Sequence, residues 1–182
     1  MRYLRRTDTM AMDINDLMGT MLSSGAIDQV SQMLGVNQKE AGSAIEEVLP
    51  MLLKGMQGQA RNKDTQQGFL QALQDHSNND TSDFTKYLKN VDTDDGAKIV
   101  KHLLGAQQEE VAAKAKKKSG LDTKTIMKIM AIAAPLLMSR MGKTAKSTAK
   151  SSGSDDMLSI VGGLMDGVDA SDIIKIAGKL FK

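Results

Sequence analysis

The chain has no cysteine, no tryptophan, two prolines and five aromatic residues, three Phe and two Tyr. Without cysteine it has no disulfide framework, thiol nucleophile or cysteine-based zinc site. That composition is compatible with a reducing compartment. The scarce Val, Ile, Tyr and Phe do not alternate as strands require, which argues against a sheet. The longest apolar run, Ile129 to Met138, has ten residues, contains Pro135 and lies between Lys128 and Arg140. About twenty apolar residues are needed to span a bilayer, so the expectation is a buried core helix and no transmembrane segment. The opening MRYLRRTDTMAMDINDLMG has basic residues but no apolar stretch after them, unlike a secretory signal. Met12 is a second candidate start, and the expected location is cytoplasmic.

Methionine is abundant, with fourteen residues. A core of Met, Leu, Ile, Val and Ala favours helices and adaptable packing. Methionine-rich grooves that accept varied partners are a further expectation. The 182 residues suit one domain with an appendage.

Charge is distributed unevenly. Met12 to Glu110 carries 8 Lys/Arg against 15 Asp/Glu, and Val111 to Lys150 carries 10 Lys/Arg against the single acid Asp122. The simpler reading is attraction between the two halves within the molecule. The basic half also suits an anionic partner such as nucleic acid or a membrane surface.

A segment occurs twice. GVNQKEAGSAIEEVLPMLLKGMQ at 35–57 aligns without gaps with GLDTKTIMKIMAIAAPLLMSRMG at 120–142. Gly35 matches Gly120, Lys39 matches Lys124, Pro50 matches Pro135, Leu52 matches Leu137 and Met56 matches Met141. Such self-similarity speaks to architecture. Each copy begins with a glycine suited to ending one helix and a capping residue, Asn37 or Asp122, suited to starting the next. Glu40 completes a capping-box-like pair with Asn37. Each proline either kinks its helix or restarts it. Helices are also expected over 12–23, 26–34, 65–74, a short stretch around Tyr87, one carrying Ile99 to Leu104, and 107–118, with a loop at 75–80.

GKTAKSTAKSSG at 142–153 reads as a basic linker by composition. The residues after it carry two apolar stripes, Met157, Ile160 and Leu164, then Ile173, Ile176, Leu180 and Phe181. The expected class is all-α. Two copies of a glycine-capped, proline-kinked helical unit share one bundle (12–142), followed by a flexible basic linker (143–153) and an amphipathic helical hairpin (154–182). The hairpin either covers the core or docks on a protein partner, a second copy or a membrane.

The order LMGTMLSSGAIDQVSQMLGVNQKEAGSAIEEVLPMLLKGM, IVKHLLGAQQEEVAAKAKKKSGLD, APLLMSRMG resembles the bacterial domain of unknown function 937 across residues 12–142. The resemblance implies a bacterial, all-helical domain and brings no activity, cofactor or catalytic residue. The tail departs from the glycine-rich tails common in that family, being more charged.

Little points to chemistry. Gly142-Lys143-Thr144 ends like a P-loop, but the glycine required five positions earlier is Leu137. Glu46 and Glu47 are adjacent on a helix and do not face each other. Asp92 to Gly96 resembles a calcium loop in the wrong register, with Lys101 where the bidentate acid belongs. His76 and His102 lack a second ligand at helical spacing, and the neighbours of His102 suggest partial burial. No enzyme activity, cofactor or metal is expected. The alternative to an interaction or self-assembly module is DNA binding by a helix-turn-helix-like element at 111–130. Lys116, Lys117, Lys118, Thr123, Lys124 and Lys128 would be its contacts. A similar rhythm at 27–41 is compromised by Glu40, Glu46 and Glu47.

Overall fold

The computed structural model describes residues 19–153 and 157–166. Within them the chain forms eight α-helices and no strand. They are α1 (Ser24–Leu34), α2 (Gln38–Arg61), α3 (Gln66–His76), α4 (Phe84–Asn90), α5 (Thr93–Leu104), α6 (Gln108–Ser119), α7 (Thr123–Ser152) and α8 (Met157–Asp166). A 3₁₀ turn, Gly105–Gln107, joins α5 to α6.

The boundaries follow from side-chain chemistry. Ser23 caps α1 by accepting from the Ala26 N–H. Gly35 ends the helix with φ 68°, while Val36 N–H reaches the Ser31 carbonyl at 3.0 Å, closing a Schellman turn. Asn37 then accepts from Lys39 N–H at 2.8 Å and opens α2. At the other end of the chain, Gly120 ends α6 with φ 81°, and Asp122 opens α7 by accepting from Thr125 N–H at 2.9 Å. Both proline-bearing segments run on as single helices, α2 through Pro50 and α7 through Pro135.

Helix α7 is the axis of the bundle. Residues 129–139 are buried without interruption, so the helix is apolar all round, as a fully enclosed helix must be. Helices α2, α3, α5, α6 and α8 all pack on it. The methionines largely fill this core. Met21, Met56, Met130, Met138 and Met141 are buried, and Met33 is the one large apolar side chain exposed among the described residues.

Pro135 has no N–H to give the Ala131 carbonyl four residues earlier. Helix α5 seats against that carbonyl. A Cβ added to Gly96 would lie 1.8 Å from it, so only glycine permits this approach. One residue on, the Tyr87 hydroxyl donates to the Ile132 carbonyl at 2.7 Å. Burial pushes the Tyr87 hydroxyl far above the ordinary phenol value, so it remains a protonated donor.

Two expectations change. The stretch 143–152, expected as a linker, continues α7 to Ser152. Composition misleads there because the stretch is anchored. Gly142 packs against the Leu73 carbonyl of α3, Ala145 is fully buried, and Lys143 donates to the carbonyl of Asn79 at 2.5 Å. His102 is exposed rather than partly buried, since Leu103 and Leu104 take the inward face. Most of the helix expected over 12–23, and the tail beyond Asp166, lie outside the described residues.

Two glycines in helices should respond oppositely to alanine. Gly96→Ala should cost about 1–3 kcal/mol or more, because backbone must move. Gly58→Ala, with nothing within 4 Å of the new carbon, should gain about 0.5–1 kcal/mol. Tyr87→Phe should cost about 1 kcal/mol through the bond to Ile132. Urea midpoints measure all three.

Candidate functional site

Two surfaces carry the residues singled out in the sequence. The first is the lysine-rich end where α6 meets α7. Lys116, Lys117, Lys118, Thr123, Lys124 and Lys128 are all exposed there. They do not act alike. Lys118 reaches across to Glu47 of α2 at 3.0 Å, and that bond raises its pKa. Lys114, one turn earlier, pairs with Glu110 at 2.9 Å. The Lys118–Glu47 bridge joins the basic half of the chain to the acidic half. Lys116, Lys117, Lys124 and Lys128 have no carboxylate within ion-pair distance among the described residues.

This end has limited reach for reading DNA. A recognition helix lies along the major groove and offers an exposed face to the base edges. At this end helix α7 offers only its first two turns, since residues 129–139 are enclosed by its neighbours. Glu46 and Glu47 lie half-buried on α2, and Glu47 meets Lys118 directly. The surface is an exposed cationic patch on the end of a buried helix.

Asp122 sits inside that patch as the cap of α7. Its carboxylate accepts from the Thr125 N–H and hydroxyl, and these bonds hold it below the usual carboxylate range. A depressed folded-state value contributes stability that is present above the unfolded-state value and lost as pH falls through the folded one.

The second surface is the seat of α8. This helix lies against α7, α2 and α3. Val161 is fully buried in the common core, and Ile160 packs half-buried against it. The side chains of Met157 and Leu164, and residues 167–182 with Ile173, Ile176, Leu180 and Phe181, lie outside the described residues. Along the second half of α7, three cations that sequence reasoning did not single out hold residues 77–81. Arg140 donates to the Thr81 carbonyl at 2.9 Å, Lys143 reaches Asn79 and Thr81, and Lys146 reaches the Ser77 hydroxyl at 3.2 Å. Their spacing of three along α7 places them on one face, and that spacing is the available sequence signal.

A third feature is a cleft of about 470 Å³ between α3, α4, α5 and Pro135, lined by Asp75, His76, Asp80, Asp92 and Asp95 among others. Its acidic groups are already engaged. Asp92 caps α5 through the N–H groups of Asp94 and Asp95, Asp80 holds Ser82 and Lys86, and His76 lies 3.5 Å from Asp95. Among the described residues, no group of three or more His, Asp or Glu is placed to hold a metal. Helix α7 over Thr123–Lys150 is long and apolar enough to cross a membrane by length and composition, and 78% of its most apolar window is buried in the bundle.

If α8 is part of the core, Val161→Ala should lower the stability of the whole chain by about 1–3 kcal/mol in one cooperative urea transition. A change near zero would mean that α8 contributes nothing to the fold.

No curated protein and no solved structure matches the chain. A sequence model described as a bacterial protein of unknown function, DUF937, matches residues 16–144, from just before α1 into the second half of α7. The chain belongs to the DUF937 family.

Proposed function

We propose that this protein is a non-catalytic interaction module that self-associates through its C-terminal segment in the cytoplasm. The observation that carries this reading is the seat of α8, where Val161 inserts fully into the bundle formed by α2, α3 and α7. The chain continues past α8 with a second apolar stripe, Ile173, Ile176, Leu180 and Phe181. An apolar stripe at helical spacing needs a partner surface. The acidic groups of the cleft between α3, α4 and α5 are taken up in caps and local pairs.

The same reading takes the bundle as two copies of one unit, α1–α2–α3 and α6–α7–α8. The left-handed glycines Gly35 and Gly120, the caps Asn37 and Asp122, and the in-helix prolines Pro50 and Pro135 support it. Leu73 of α3 and Val161 of α8, both fully buried, support pairing the third helices. A protein of two like units has like surfaces, which favours closed or head-to-tail association.

A second reading is favoured by the four uncompensated lysines at the α6–α7 end. They suit a polyanion held through phosphates, without base reading.

Light scattering separates the two. The full chain should weigh a multiple of 19.6 kDa, and Ile176→Asp with Leu180→Asp should return it to the monomer mass. A monomeric full chain that binds duplex DNA, and loses it when Lys116, Lys117, Lys124 and Lys128 become Ala, would reverse the order.

A further inference from the structure

The C-terminal segment is itself a second copy of something in the fold. VDASDIIKIAGKLF at 168–181 aligns without gaps with VDTDDGAKIVKHLL at 91–104, the residues of α5 and its cap. Val, Asp, Asp, Lys, Ile and Leu are identical at Val91/Val168, Asp92/Asp169, Asp95/Asp172, Lys98/Lys175, Ile99/Ile176 and Leu103/Leu180. Asp169 stands where Asp92 caps α5. The residues that α5 buries, Gly96, Ile99, Val100, Leu103 and Leu104, correspond to Ile173, Ile176, Ala177, Leu180 and Phe181. Two of the six identities, Ile99/Ile176 and Leu103/Leu180, fall on the face that α5 buries, and the other buried positions stay apolar.

Helix α5 covers the proline helix α7. Among the described residues, the equivalent face of the proline helix α2 is less deeply covered. On α7, Ala131, Pro135, Leu136 and Ser139 are all buried. Their counterparts on α2 are Glu46, Pro50 and Met51, half-buried, and Lys54, exposed. What separates the two faces is the seat that α5 fills.

We infer that residues 168–181 of one copy lie on the Glu46–Pro50–Met51 face of α2 in a second copy. This rests on the self-association proposed above and names its surface. Chain length favours the second copy over the same chain. In the first unit, residues 77–92, including α4, carry the chain from α3 over to α5. Only Gly167 separates α8 from Val168, about 3.5 Å of reach per residue. The replacement of Gly96 by Ile173 bars the close backbone approach that α5 makes.

The chain has no cysteine, so introduced thiols are unique. Glu46→Cys and Ile173→Cys, the counterparts of Ala131 and Gly96, go into separate full-length chains, which are mixed and treated with a short bismaleimide. The expected product is a hetero-dimer, roughly tenfold or more above a pairing of Ile173→Cys with Lys89→Cys on exposed α4. Adding Ile176→Asp and Leu180→Asp should abolish it. A product formed only within one chain, in the double-cysteine variant at monomer mass, overturns the inference by seating the segment in cis. A multimer without this cross-link also overturns it, while leaving self-association intact. A chain that is monomeric by light scattering removes both.

Discussion

The fold depends on one missing N–H. Pro135 sits in the middle of the most buried helix, where the Ala131 carbonyl has no water to turn to. Two neighbours are arranged around that gap. Gly96 lets the α5 backbone come up to the carbonyl, and Tyr87 places its hydroxyl on the next one, Ile132. Both come from the segment between the two proline helices, so the gap fixes where that segment must pack. Gly142 repeats the device further along α7, where the α3 backbone comes close. Small residues at crossing points let an aromatic-poor chain pack helices tightly without large side chains.

Electrostatics works on the surface of this arrangement. The acidic first half and basic second half are not segregated lobes. Lys118 bridges to Glu47, and Arg140, Lys143 and Lys146 are held by neutral carbonyls and hydroxyls of the 77–81 loop. Exposed pairs of this kind contribute little stability. Their effect is to align α6 with α2 and to hold the last turns of α7 against α3. Lys116, Lys117, Lys124 and Lys128 have no such partner among the described residues and cluster where α6 meets α7.

Much of the fold could be read from residues with a strong local signal. Gly35, Gly120, Asn37, Asp92 and Asp122 end and start helices where their chemistry says they should. The apolar run at 129–138 is a core helix because it is enclosed on every side. What failed were inferences from composition alone. Lys, Ser, Thr and Gly at 142–153 read as a linker, yet Ala145 and Gly142 are contact residues whose role depends on α3, far away in sequence. His102 was placed by its neighbours, but helical phase turns it outward. The lysines of the α6–α7 end were legible as a cluster. Their division into a paired Lys118 and unpaired neighbours was not, because Glu47 lies on another helix.

The central claim is that residues 143–152 and helix α8 belong to the fold rather than hanging from it. Native-state hydrogen exchange of the full chain tests this directly. The account predicts that amides of residues 143–152 and 157–166 are protected and open together with α7, at a free energy near that of global unfolding. Exchange in those two stretches at the rate of an unfolded chain, with α7 still protected up to Met141, would contradict it.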